Sequence, residues 1–180
     1  VLRRMARIYA SVHMTSALDT AIPIAGVGLE LMAWDALRRR EQLITADEFD
    51  HKLPTASTLR LALRLAGIPT ELPTSLTNLQ SFVSGELVDG PFALTQVRNR
   101  LTHPPKSKAE WPGVDPMIEA RNLAIDYLGL LLLASIGYRD TYRPAIGATG
   151  YAGEERPVPW ADRSTSGVQT QDNRSRAGSE

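Results

Sequence analysis

The stretch Ala56-Ser57-Thr58-Leu59-Arg60-Leu61-Ala62-Leu63-Arg64-Leu65-Ala66-Gly67 decides the fold class. Its leucines alternate with other residues as one face of a strand would. Leucine, alanine and arginine are nevertheless strong helix formers, and no β-branched residue follows Thr58. Gly67 stands where a helix C-cap belongs. The stretch reads as helix, and with that assignment the signals become helical almost throughout.

Upstream, residues 2–19 carry Met5, Ile8, Tyr9, Val12 and Leu18 at helix-like spacing. Pro23, Gly26 and Gly28 interrupt that pattern, so a second helix is expected at about 28–42, ending in Arg38-Arg39-Arg40 at the negative pole of its dipole. Thr45-Ala46-Asp47-Glu48 has the form of a capping box opening a short helix that stops before Pro54. Downstream, the pattern predicts helices at about 74–84, 91–103 and 115–137, the second of these opened by Asp89-Gly90-Pro91. The last becomes apolar on every side from Tyr127 to Ile136, as the centre of a core or a subunit interface would, and Gly137 ends it. The expected architecture is an all-α bundle of six to seven helices over 1–145, an extended segment over 146–160 that docks through Val158-Pro159-Trp160, and a disordered tail over 161–180.

Composition narrows the function classes. The 180 residues suffice for one domain with a real core, 43% are hydrophobic, and formal charge sums to zero. Only local clustering of charge can therefore point to a nucleic acid. Cysteine is absent, which excludes disulfide scaffolds, thiolate catalysis and the usual structural zinc sites. The three histidines, His13, His51 and His103, show no metal-ligand spacing, so neither a metal nor another cofactor is expected. The apolar run from Tyr127 to Tyr138 falls short of the roughly 20 residues of a membrane span, and no signal-peptide layout is visible. A cytoplasmic protein without a membrane partner is the expectation. A first residue other than methionine suggests the C-terminal part of a longer chain.

Chemistry concentrates in Arg98-Asn99-Arg100-Leu101-Thr102-His103, closed by Pro104-Pro105. At about 100° per residue, Ala93, Leu94, Val97 and Leu101 make one apolar stripe. Asn99 and His103 fall on the opposite face, and Arg98 lies at the stripe's margin, about 140° from His103. An always-charged guanidinium near a group that titrates around neutrality suits metal-free cleavage of a phosphodiester. One copy of the helix cannot easily set the two side by side, whereas two copies across a two-fold axis can. Arg98, Arg100, Lys106 and Lys108 precede the next acid, Glu110, and form a patch able to hold an RNA backbone. The other arginine–histidine spacing, Arg7 to His13, has the apolar Ile8 beside its arginine and no helix stop, and reads as coincidence. Trp34 and Trp111 read as packing residues.

Arg98-Asn99, three further residues and His103, near a helix end in an all-α chain, resemble the signature of the HEPN superfamily. The flanking Leu94, Val97, Leu101 and Pro104, the long apolar helix ending in Gly137-Tyr138-Arg139, and Pro157-Val158-Pro159-Trp160 also resemble bacterial members. The resemblance is sharpest over about 90–140. It implies a dimeric bundle in which two motifs share one cleft, with Arg98 and His103 catalytic and Asn99 orienting them. It further implies a metal-independent endoribonuclease of a toxin or anti-phage system, with an antitoxin or an N-terminal sensor domain as a further partner. The alternatives are a non-enzymatic HEPN-like module that dimerises or binds RNA or a nucleotide, and a scaffold whose motif only fixes the dimer.

Overall fold

A computed structural model describes residues 1–103, 111–147 and 154–161. Among the described residues six α-helices form the bundle: α1 (Leu2–Met14), α2 (Leu18–Trp34), α3 (Thr55–Leu65), α4 (Thr77–Phe82), α5 (Gly90–Thr102) and α6 (Val114–Ser135). Two short π-helical segments, Asp35–Arg40 and Glu48–Lys52, join α2 to α3. After α6 a two-residue antiparallel pair forms, β1 (Thr141–Tyr142) on β2 (Arg156–Pro157). The all-α class is thus observed.

α2 is the central element and packs against α1, α3, α5 and α6. Its course corrects the expected break at Pro23, Gly26 and Gly28, because all three lie inside one continuous helix. The glycines serve close approach. A Cβ on Gly28 would stand 2.8 Å from Ile8 Cγ2 and 3.0 Å from a methyl of Leu128, so α1 and α6 can seat on α2 only where no side chain intervenes. Consequently α1 ends at Met14, and Leu18 belongs to α2. With the break removed, residues 18–40 are long and apolar enough in composition to cross a membrane, and 56% of the most apolar stretch is buried inside the bundle.

The strand-like leucines of 59–65 sit on a helix, as expected. Leu59 and Leu63 are buried while Leu61 and Leu65 are exposed, a period that only a helix gives. Gly67 follows at φ 76°, the left-handed conformation of a helix stop. The Thr45 box also forms: Thr45 N–H donates to Glu48 Oε2 at 2.8 Å and Glu48 N–H to Thr45 Oγ1 at 3.2 Å. The Arg38–Arg40 run is partly pinned, with Arg39 and Arg40 both paired to the buried Asp35.

Asp89 fixes the start of α5. Its carboxylate caps the helix by accepting the Phe92 N–H at 2.9 Å, and it takes Arg60 Nη2 of α3 at 3.1 Å. α4 is capped from outside itself, by the Glu119 carboxylate of α6 on the Leu79 N–H at 2.7 Å. After α6, Gly137 turns the chain at φ 72°. Val158 and Trp160 are buried, and Trp160 Nε1–H donates to the Tyr138 carbonyl at 2.7 Å. Trp111 departs from the packing expectation, being 44% exposed. Of the expected tail over 161–180 only Ala161 is described; it packs against the core and its N–H donates to the Val158 carbonyl at 3.0 Å, so it belongs to the docked segment.

Candidate functional site

α5 presents the motif as its hydrophobic periodicity requires. Ala93, Leu94 and Val97 are buried, Leu101 is half-buried, and Asn99 is exposed. Arg98 sits at the edge of that stripe, half-buried against α2. There its Nη2 meets Glu30 Oε1 at 2.9 Å, while Nη1 donates to Asn99 Oδ1 at 3.3 Å. Gly26 makes the room: a Cβ there would stand 3.3 Å from Arg98 Cγ and 3.5 Å from Nε. The guanidinium is therefore laid across the bare backbone of α2 and its charge is offset by a carboxylate one helical turn further on. Three of its five donors remain uncommitted to these two partners.

The helix ends one residue earlier than the 91–103 expectation. His103 is the C-cap, extended at φ −116° and ψ 139°, and its N–H still donates to the Asn99 carbonyl at 2.9 Å. Leaving the helix frees the imidazole from strict stacking on Asn99. It is exposed, and among the described residues no hydrogen bond or ion pair holds its side chain. Arg98 and Asn99 are thus brought together, and His103 lies one turn beyond them with no hydrogen bond to either side chain. Arg100 is half-buried on the same turn. Lys106 and Lys108 lie outside the described residues, as do Pro104 and Pro105.

Beneath Arg98 the packing is tight. A cavity of about 20 Å³, lined by Gly26, Leu29, Leu94, Thr95 and Ala124 among others, has room for little more than one water. Any phosphate contacting Arg98 approaches from the outer surface. A roomier hollow of about 390 Å³ lies elsewhere, between α6 and the C-terminal segment, with Asp126, Tyr127, Tyr142 and Arg156 in its lining. Asp126 there accepts the backbone N–H groups of Ala145 and of Ile146, the latter at 3.2 Å. Burial pushes its carboxyl up to about 6 despite those bonds. Among the described residues no three His, Asp or Glu side chains gather as a metal site.

Glu30 and Gly26 are the site residues that reading the sequence misses. They stand four apart on one helix, the spacing of neighbours on a helical face. That signal is invisible while residues 23–28 are taken for a break. The Arg7–His13 pair gathers no site: His13 Nδ1 lies 3.2 Å from the Tyr9 carbonyl, and its ring packs on Tyr9 at 4.4 Å.

An all-α bundle with a paired arginine and asparagine at a helix end is the class that these features define. Residues 1–155 match the model of the YopA C-terminal domain, and the chain belongs to that family. It is similar to the SPbeta prophage-derived uncharacterized protein YopA of Bacillus subtilis (strain 168), at 24% identity over 156 residues. The alignment covers 86% of this chain and 34% of YopA, so the chain spans about a third of that relative. No solved structure matches it.

Proposed function

We propose that this domain is a HEPN-like, metal-independent endoribonuclease that acts as a homodimer with a composite Arg98/His103 site. The observation that supports this reading is the Arg98–Asn99 side-chain contact at the edge of α5, one turn before an exposed histidine at the helix end. In the proposed reaction the ribose 2′-oxygen attacks the adjacent phosphorus and the bond to the 5′-oxygen breaks. His103 protonates the departing oxygen, and Arg98 offsets charge on the phosphate oxygens. The 2′-hydroxyl proton passes to the second histidine of the dimer. The products are a 2′,3′-cyclic phosphate and a 5′-hydroxyl. Arg100, Lys106 and Lys108 would hold the RNA backbone.

A prophage-derived relative suits a role in toxin or anti-phage systems, with an antitoxin or an N-terminal sensor domain as partner. A second reading draws on a specific contact. Glu30 offsets the Arg98 charge, as a motif that only fixes a dimer or binds RNA without cutting it would permit. Incubation of the purified chain with single-stranded RNA in EDTA separates the two. Cleavage that disappears in His103→Ala supports the enzyme, and intact RNA with retained binding supports the module.

A further inference from the structure

The outer side of α2 carries an apolar stripe that the rest of the described chain covers only in part, Ile24 and Leu31 packing their inner sides against the core. Val27, 48% exposed, is at its centre. Pro23, Ile24, Leu31 and Trp34 flank it, each half-buried. These positions are three, four and seven residues from Val27, so all fall within about 60° of one line along the helix. Gly28, where α1 seats, lies about 100° to one side of that line; Gly26, where Arg98 lies, is about 100° to the other.

From this arrangement we infer that the stripe docks a second copy of this chain, α2 against α2 in antiparallel sense, with the two-fold axis at Val27. This interface rests on the homodimer reading above and supplies its geometry. Spacing about Val27 is self-complementary: Pro23 meets Leu31 of the partner subunit, and Val27 meets Val27 of the partner subunit. The ends of the stripe choose the direction. Exposed Asp19 stands near the start of α2, and beyond its end stands the half-buried Arg38, whose Nε is buried without a partner while the nearby Asp35 pairs with Arg39 and Arg40. Antiparallel packing sets each acid near the other copy's arginine, whereas parallel packing sets acid beside acid.

Symmetry then places the motifs. A two-fold axis perpendicular to the paired helices keeps any feature on its own side of the seam. Both Glu30–Arg98 pairs therefore line the same edge of the interface, about 9 Å apart along the helix axis at 1.5 Å rise per residue. A parallel pair would send them to opposite edges. The antiparallel dimer is thus the arrangement in which two motifs share one groove.

The chain has no cysteine, so Val27→Cys introduces a single thiol. Mild oxidation is expected to link this variant into a disulfide dimer, while Leu61→Cys on the outer side of α3 stays unlinked. Val27→Glu is expected to sediment as a monomer at micromolar concentration while staying helical by circular dichroism, its thermal midpoint lowered only by loss of the dimer. Several results would overturn the interface: a monomeric wild-type chain, a dimer indifferent to Val27→Glu, Val27→Cys linking no faster than Leu61→Cys, or binding of the wild type to phosphatidylglycerol vesicles through this face. A Val27-dependent dimer that leaves RNA intact keeps the interface and removes the nuclease reading. Cleavage by a dimer indifferent to Val27→Glu does the reverse.

Discussion

Glu30 and Arg98 form a 2.9 Å ion pair that ties the middle of α2 to the last turns of α5, directly over Gly26. Both side chains are partly exposed, at 33% and 26%, so the pair acts more on charge than on stability. Glu30→Gln is expected to cost less than about 1 kcal/mol in urea unfolding. It is also expected to tighten single-stranded RNA binding and to steepen its salt dependence, since one guanidinium is freed for phosphate. Fluorescence anisotropy across a salt series checks both, and unchanged affinity and slope would show that Arg98 does not face the RNA.

The two glycines of α2 predict opposite behaviour. Gly28→Ala forces a methyl against Ile8 and Leu128 and is expected to destabilise by about 1–3 kcal/mol. At Gly26 the neighbour is the flexible Arg98 side chain, and the gain of about 1 kcal/mol in helix propensity offsets the crowding. Gly26→Ala should therefore stay within about 1 kcal/mol of wild type while loosening the Arg98–Glu30 pair. Denaturant midpoints for the two variants measure the contrast.

Much of this was legible in the sequence, and the exceptions share one cause. Gly67, the Thr45 box, Asp89-Gly90-Pro91 and Gly137 are signals whose meaning is local, and each ends or starts a helix as read. Pro23, Gly26 and Gly28 carry the same residue types with a tertiary meaning. All three lie inside α2, and the small size of the two glycines serves packing against α1, α6 and Arg98, which no local rule can reveal. The site inherited that limit: Arg98, Asn99 and His103 were visible as a motif, but Glu30 could be placed beside them only once α2 was continuous.

Asp126 predicts a pH dependence. Its folded carboxyl, raised from 3.8 to about 6, binds its proton more tightly than in the unfolded chain. The stability it contributes is therefore full below about pH 4 and is lost as pH rises through about 6. At about 1.4 kcal/mol per unit, the loss amounts to roughly 3 kcal/mol. Compared with Asp126→Asn, the wild type should lose stability between pH 4 and 7, and parallel curves for the two proteins would refute the assignment.

Asp89 combines a helix cap with a buried ion pair to Arg60. Asp89→Ala is expected to destabilise by about 3 kcal/mol, because it uncaps α5 and strands a largely buried guanidinium. Asp89→Asn keeps the cap and should lose less. Thermal unfolding of both variants orders the two contributions, and equal losses would assign the whole effect to charge.

The central claim is that Arg98 and His103 cut RNA, and product analysis in EDTA tests it most directly. Wild-type chain should yield fragments ending in 2′,3′-cyclic phosphate, with cleavage lowered by orders of magnitude in both His103→Ala and Arg98→Ala. Arg98→Lys should rescue poorly, since an ammonium cannot make a planar two-pronged contact to phosphate. RNA left intact by a folded dimer, together with weakened dimerisation in both alanine variants, would contradict the claim and make the motif a structural one.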